Sequence, residues 1–329
     1  MLSLAFGRTS PGVSGMPFEP VILFFALGLL AGLIRSDLKI PGVLYESLSI
    51  FLLLAIGLKG GIELAKVPLA SVAGQAGVVL AVALLIPLAA FPVLRRLVGL
   101  SRPDAASIAA HYGSVSVVTF AVASSFLARS GVETEGYLVV FLVLLEFPAL
   151  IVGVILARRQ GSDTQWGRLL HEVFSGKSIV LLLGGLVIGW IAGAEGIKPL
   201  DRLFIDLFKG VLAFFLLEMG LVVAGRLGDL RRAGLGLALF AVLMPVAAGV
   251  LGIGTALAIG LSAGGAVMLA TLYASASYIA APAAMRIAVP EANPALSIGA
   301  ALGITFPFNL LAGIPLYHWL AIQVWNMTP

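Results

Sequence analysis

Apolar residues run along this chain in long unbroken stretches. They do not alternate as in a half-buried strand, nor form the single-face stripe of a surface helix. Ten such stretches stand out, at roughly 20–35, 43–63, 68–95, 104–128, 134–157, 178–194, 201–225, 233–260, 263–286 and 293–323. A helix rises about 1.5 Å per residue and a bilayer core is about 30 Å thick, so about 20 apolar residues cross it. The pattern therefore predicts an all-α polytopic membrane protein with ten transmembrane helices. The longest polar segment, Arg158 to Lys177, falls between the fifth and sixth stretches. It divides the chain into a first five-helix repeat (1–157), a cytoplasmic linker (158–177) and a second repeat (178–329).

Polar residues interrupt two of the stretches at corresponding places. The fourth contains Tyr112-Gly113-Ser114-Val115-Ser116, followed by Thr119, and the ninth contains Tyr273-Ala274-Ser275-Ala276-Ser277. The Tyr, Ser and Ser of the two copies lie 161 residues apart. Phe51 to Leu58 resembles Phe214 to Leu221 at an offset of 163, and Phe147-Pro148 matches Phe306-Pro307 at 159. Three matches in order, with a slowly drifting offset, indicate an internal duplication. Because five spans is an odd number, the second copy must enter from the opposite face. That predicts a 5+5 inverted repeat.

Serine and threonine in a membrane helix can simply bond back to a carbonyl one turn earlier, and small residues can simply let helices pack. The duplication points further, because paired interruptions in two inverted halves mark a transporter's substrate site. Pro282 follows the second copy, and proline lacks an N–H and clashes with the preceding turn, so a helix kinked or interrupted there is expected. Broken helices 4 and 9 would then cross, presenting N–H groups to an anion and carbonyls to a cation. Gly113, Ser114, Ser116, Ser275, Ala276 and Ser277 become the candidate anion-binding residues.

Composition narrows the class. Hydrophobic residues make up 60% and charged residues 11% of the chain, with mean hydropathy +1.10, far from soluble averages near 25% charged. There is no cysteine, which removes disulfide and thiolate chemistry, and the three histidines are scattered, so no resident metal or cofactor is expected. The small formal charge of +4 argues against a nucleic-acid partner. Met1 to Glu19 lacks the basic start and compact apolar core of a cleaved signal peptide, so the first spanning helix is expected to direct insertion. Thirteen Lys and Arg, among them Arg95, Arg96, Arg159, Arg168, Lys177, Arg231, Arg232 and Arg286, fall on one side. Seven, including Arg8, Lys59, Lys66 and Arg129, fall on the side of the termini. By the positive-inside rule both termini face out.

Two acids lie within apolar stretches. Glu146 precedes Phe147-Pro148, and Glu218 precedes Met219-Gly220. A charge at mid-bilayer is expensive, so such residues either bond between helices or serve an ion pathway. Pro148 frees a carbonyl near Glu146, which makes Glu146 a candidate cation ligand or proton carrier, with Asn309 its counterpart after Pro307. Glu46 reads as interfacial. His111 sits one turn from Ser114 on the same helix with no accompanying catalytic signature, so no enzyme is expected. His318, beside Trp319 and Trp325, reads as an interfacial anchor. Gly60-Gly61 and Gly264-Gly265 lack a phosphate-loop context and read as packing or hinge sites.

Taken together these residues resemble the cyanobacterial-type sodium-dependent bicarbonate transporter family over nearly the whole chain. The most specific segments are Ser275-Ala276-Ser277 through Pro282 and Arg286, Pro290 to Pro294, Ile298-Gly299 and Phe306-Pro307. Ile40-Pro41, Ile56 to Gly61 and Gly113 to Ser116 carry it in the first half. The resemblance implies a core moving against a scaffold, a homotrimer, and Na⁺-coupled bicarbonate uptake across the bacterial inner membrane. Thr119, Ser277, Tyr278, Glu146 and Asn309 form the candidate sodium-binding set. Two features depart from the family. Its members carry an Asp where this chain has Tyr278, a poorer Na⁺ ligand, which leaves H⁺ coupling as an alternative. The members with a PII-like regulator have a much longer linker, which argues against that partner here. A symporter of a small organic anion, of bile-acid-symporter type, and a non-transporting sensor or scaffold are the competing expectations.

Overall fold

Proline and short polar side chains set where the helices begin. After α1 (Pro20–Leu33), Pro41 precedes α2 (Gly42–Leu64) and Pro68 precedes α3 (Leu69–Ala83), which turns at Leu84 into α4 (Leu85–Arg96). The Ser101 hydroxyl accepts the Asp104 amide at 3.2 Å and so caps α5 (Arg102–Gly113). Then follow α6 (Val117–Arg129), α7 (Leu138–Leu145), α8 (Pro148–Ala157), α9 (Trp166–Phe174) and α10 (Lys177–Ile197). After two short irregular turns, α11 runs Phe208–Ala258. The Ser262 hydroxyl caps α12 (Ala263–Ala274) by accepting the Gly265 amide at 3.0 Å. The chain ends in α13 (Ala280–Ala288), α14 (Pro294–Ile298), α15 (Phe306–Phe308) and α16 (Ile314–Met327), the last three joined by wider π-type turns.

This computed structural model describes residues 20–158 and 166–327, without the side chains of Trp166, Arg168 and 227–233. Arg8, Arg159, Pro329 and the stretch Met1 to Glu19 lie outside the described residues, and so do the side chains of Arg168, Arg231 and Arg232.

Among the described residues, eight helical stretches are long and apolar enough to cross a membrane: Gly42–Leu64, Leu69–Arg96, Arg102–Arg129, Leu138–Ala157, Lys177–Leu200, Phe208–Arg226, Gly234–Ala258 and Pro294–Met327. Two further apolar helices, Pro20–Leu33 and Ala263–Ala274, are shorter. The expected boundary between the seventh and eighth stretches takes an unexpected form. Two helices follow one another there without a loop between them, and the break falls at Gly234, whose non-helical φ of 79° costs glycine little. The linker also differs from a plain polar connection, because α9 forms inside it. Its Leu169 and Val173 are buried with Ala110, Leu150, Ala281 and Met285.

Packing joins the two halves. α2 lies along α10, and α1 lies along the first part of α11. Both seams are made of glycine: Gly57 and Gly61 meet Gly185 and Gly189, and Gly28 meets the Leu217 backbone while Gly220 meets that of Phe25. Small residues let backbones approach where lipid supplies no hydrophobic drive between helices. Polar ties cross the ends in the same paired fashion. Asp104 Oδ1 accepts the Asn293 amide at 2.7 Å, and Glu135 Oε1 accepts the Ser262 amide at 2.6 Å. The outer faces of α1 and α10 leave Leu23, Leu27, Leu30, Leu183 and Ile191 exposed, an apolar surface suited to lipid.

The seam yields a stability prediction. A Cβ at Gly61 would collide with the Leu186 carbonyl and the Trp190 amide, whereas one at Gly74 meets nothing within 4 Å. Gly61→Val should cost on the order of 1–3 kcal/mol through overpacking, seen as a lower thermal midpoint of the detergent-solubilised protein. Gly74→Ala should leave the midpoint unchanged or raise it. Equal midpoints for the wild type and Gly61→Val would remove the seam from what holds the fold.

Candidate functional site

Both duplicated motifs interrupt their helices. α5 ends at Gly113; Ser114 is extended at φ −94°, ψ 177°, and Ser116 at φ −115°, ψ 113° serves as N-cap of α6. α12 ends at Ala274, Ser275 is extended at φ −84°, ψ 165°, and α13 starts only after Ile279. The proline expectation needs correcting. The break precedes Pro282, which occupies the third residue of α13, where a missing N–H leaves no helical bond unmade.

The two breaks touch, and each satisfies the other's backbone. The Ser116 amide donates to Ser275 Oγ at 2.9 Å, and the Ser277 amide donates to the His111 carbonyl at 2.8 Å. Ser114 Oγ donates to the carbonyl of Glu146 at 2.7 Å, which ties in a third break between α7 and α8. Thr119 donates both its amide and its hydroxyl to Ser116 Oγ, at 3.2 and 2.9 Å. Ser277 Oγ accepts the Ala281 amide at 3.2 Å, and Ser275 Oγ donates to the Leu272 carbonyl at 2.8 Å. Most hydroxyls assigned to an anion are therefore engaged with protein in this conformation. Unpaired buried polar groups cost about 1–3 kcal/mol each, which is why they find one another.

What remains open is small and specific. A cavity of about 10 Å³ is bounded by Ser116, Val117, Glu146, Ser178, Ser277 and Tyr278. That volume is about one water-sized sphere. Glu146 is 2% exposed and its Oε2 has no hydrogen-bond partner among the described residues. The Tyr278 hydroxyl is also buried without one, its ring edge-on to Phe306 at 5.3 Å. Two cavities flank this point. One of about 270 Å³ shares Glu146, Ser178 and Ile279 with it and reaches the linker at Glu172 and Lys177. The other, of about 110 Å³, is lined further along α6 by Phe120 and Ser124, with Lys59, Glu63 and Glu135.

The structure gathers Ser116, Ser277, Tyr278 and Glu146 around one cavity, with Ser114, Ser275 and Thr119 bonded to its walls. Gly113 packs against Ala149 and Pro87, and Ala276 is buried against the α4–α5 cluster. Asn309 stands apart. Its Nδ2 donates to the Ala274 carbonyl at 2.8 Å and its Oδ1 accepts from Tyr317 at 3.0 Å, so it caps the end of α12. Glu218 is only half-buried, and exposed Glu46 pairs with Lys177 at 3.1 Å. His111 is fully buried with Nδ1 on the Ser107 carbonyl at 2.7 Å, and it shares no hydrogen bond with Ser114. His318 packs edge-on to Phe126. The duplicated tyrosines anchor the breaks. Thr305 Oγ1 gives its one proton to the Ala241 carbonyl, so Tyr112 must donate to Thr305, while Tyr273 donates to the Val79 carbonyl. Ser178 was missed from sequence, because it opens α10 beside the linker and belongs to no repeat.

Residues 20–322 match the family model described as the Na⁺-dependent bicarbonate transporter superfamily. The comparison with curated proteins gave no match.

Because the chain has no cysteine, single thiols can map these cavities. Ser178→Cys and Ala283→Cys, both in the larger cavity, should react with a small water-soluble thiosulfonate. Ser275→Cys, at a position 1% exposed, should react at least about tenfold more slowly. Equal labelling rates would mean that the crossing is open in solution.

Proposed function

The chain belongs to the Na⁺-dependent bicarbonate transporter superfamily, and on that premise we propose that it takes up bicarbonate coupled to Na⁺ by alternating access. One observation carries the reading. Two interrupted helices meet around a water-sized cavity that holds a buried Glu146 oxygen without a partner among the described residues, beside the Tyr278 hydroxyl. A bare Na⁺ is smaller than water and seeks several oxygens, and the Ser116 and Ser277 hydroxyls complete such a shell. Glu146 supplies the negative charge that Tyr278 does not. Bicarbonate is too large for this cavity and enters the crossing only when the two breaks separate, exposing the first amides of α6 and the loop amides of Ala276 and Tyr278. The flanking cavities on opposite sides of the crossing are the openings between which it alternates.

Paired packing supports ten spans in a 5+5 inverted repeat. α2 on α10 mirrors α1 on α11; the Ser101 cap beside Asp104–Asn293 mirrors the Ser262 cap beside Glu135. The Val79 carbonyl receives Tyr273 directly, and the Ala241 carbonyl, 162 residues further on, receives Thr305, which in turn accepts Tyr112. On this reading the halves are 1–157 and 178–329, with α9 in the cytoplasmic linker.

Orientation has a direct test. The excess of basic residues on the linker side supports an orientation with both termini outside the bacterial inner membrane. A reporter active only in the periplasm should work when fused to the C-terminus, and one active only in the cytoplasm should be silent; the reverse pattern overturns the orientation.

Coupling is tested by radiolabelled bicarbonate uptake into proteoliposomes. Glu146→Gln should weaken apparent Na⁺ affinity about tenfold or more, equivalent to about 1.4 kcal/mol. Tyr278→Asp should strengthen it. Uptake that ignores Na⁺ but follows an inward proton gradient would overturn Na⁺ coupling and make Glu146 a proton carrier.

A further inference from the structure

The cavity of about 270 Å³ beside the crossing collects donors that have no acceptor among the described residues. Its walls include the first turns of α10 (21 residues) and α13 (9 residues). No side chain caps α10, and its first bond is from the Val180 amide to the Gly176 carbonyl at 3.0 Å. The amides of Lys177, Ser178 and Ile179 therefore have no acceptor among the described residues. At α13 the Ser277 hydroxyl takes the Ala281 amide and Pro282 has none to give, which leaves those of Ile279 and Ala280 open. Ser178, 4% exposed, has a hydroxyl without a hydrogen bond among the described residues. Lys177 stands at the mouth, paired with Glu46.

Open amides at two helix starts favour an anion. The same wall, however, carries Glu146, whose Oε2 is buried and unpartnered and which would repel an anion having no hydrogen to share. Both facts are met by one ligand chemistry, a small oxyanion that carries its own O–H. Its charged oxygens face the amides and the Ser178 hydroxyl, and its O–H donates to Glu146. Chloride, nitrate and formate have no such hydrogen. We propose that this vestibule is a second substrate subsite for a small hydroxylated oxyanion, in which cargo rests on the linker side of the crossing. Its assignment to bicarbonate rests on the transport reading above. Glu146, Ser178 and Ile279 line both this space and the crossing cavity, so they form the threshold between the two.

The test is equilibrium binding of radiolabelled bicarbonate to the purified full-length protein in detergent, with and without Na⁺. The wild type should show a component that persists without Na⁺. Ala283→Leu, whose side chain would fill the vestibule, should abolish it; Ser178→Ala should weaken it several-fold; Ser277→Ala at the crossing should retain it. Formate should displace it at least tenfold less well than unlabelled bicarbonate. Absence of the Na⁺-independent component from folded wild type, unchanged binding in both vestibule variants, or displacement by formate as effective as by bicarbonate would overturn the subsite. Uptake into vesicles separates this from the transport reading. Failed uptake with vestibule-dependent binding intact sinks the coupled-transport proposal alone, and normal Na⁺-driven uptake without that binding sinks the subsite alone.

Discussion

A backbone that leaves its helix inside an apolar layer has no water to turn to, and the centre of this protein is arranged around that constraint. Three interruptions occur there, and they share partners rather than resolving separately. The Ser116 amide uses the opposite serine, the Ser277 amide uses the carbonyl of His111, and the hydroxyl of Ser114 reaches the carbonyl of Glu146. Asn309 meets the last carbonyl of α12 from a fourth element. Moving any one of these segments unmakes bonds that belong to two. The crossing therefore favours a few discrete arrangements over continuous deformation.

The rest of the molecule divides into parts that hold and parts that can yield. The glycine seams of α2 with α10 and of α1 with α11 bring backbones into direct contact, with no side chains to readjust. The broken helices instead pack through small residues, alanines and serines, and are tied to the far half at their ends by Asp104 with Asn293 and Glu135 with Ser262. The linker helix α9 lies against α13, with Phe174 on Phe147 at 4.9 Å, so the interhalf connection also forms part of the vestibule wall. A seam with backbones in contact thus stands beside a polar crossing with a small cavity at its centre.

Much of this was legible in the residues. Long apolar runs fix membrane helices, because hydrocarbon permits no other way to pair a spanning backbone. The repeated Tyr-x-Ser-x-Ser pointed to the two interrupted stretches, since clustered hydroxyls have little reason to sit in lipid except where backbone is left unpaired. Gly60-Gly61 read as a packing or hinge site, without showing which helix it would meet; Gly61 faces Gly189 on α10. The family resemblance drawn from these motifs agrees with the matched family over residues 20–322.

Tertiary structure decided what spacing cannot encode. Pro282 drew attention as the breaker, yet the chain leaves the helix before it, because Ser275 and Ser277 find partners across the crossing that a continuous helix would forgo. Asn309 carries the right chemistry for an ion, but its amide is held by Ala274 and Tyr317, contacts between residues 35 and 8 positions apart that only packing brings together. Ser178 sits in no motif and gains its place solely because α10 starts where α13 does. Sequence by itself determined that the chain is built of membrane helices and which two stretches are interrupted, since these follow from local solvation of the backbone. Which groups stay unsatisfied there depends on neighbours distant along the chain, and that is set only by the fold.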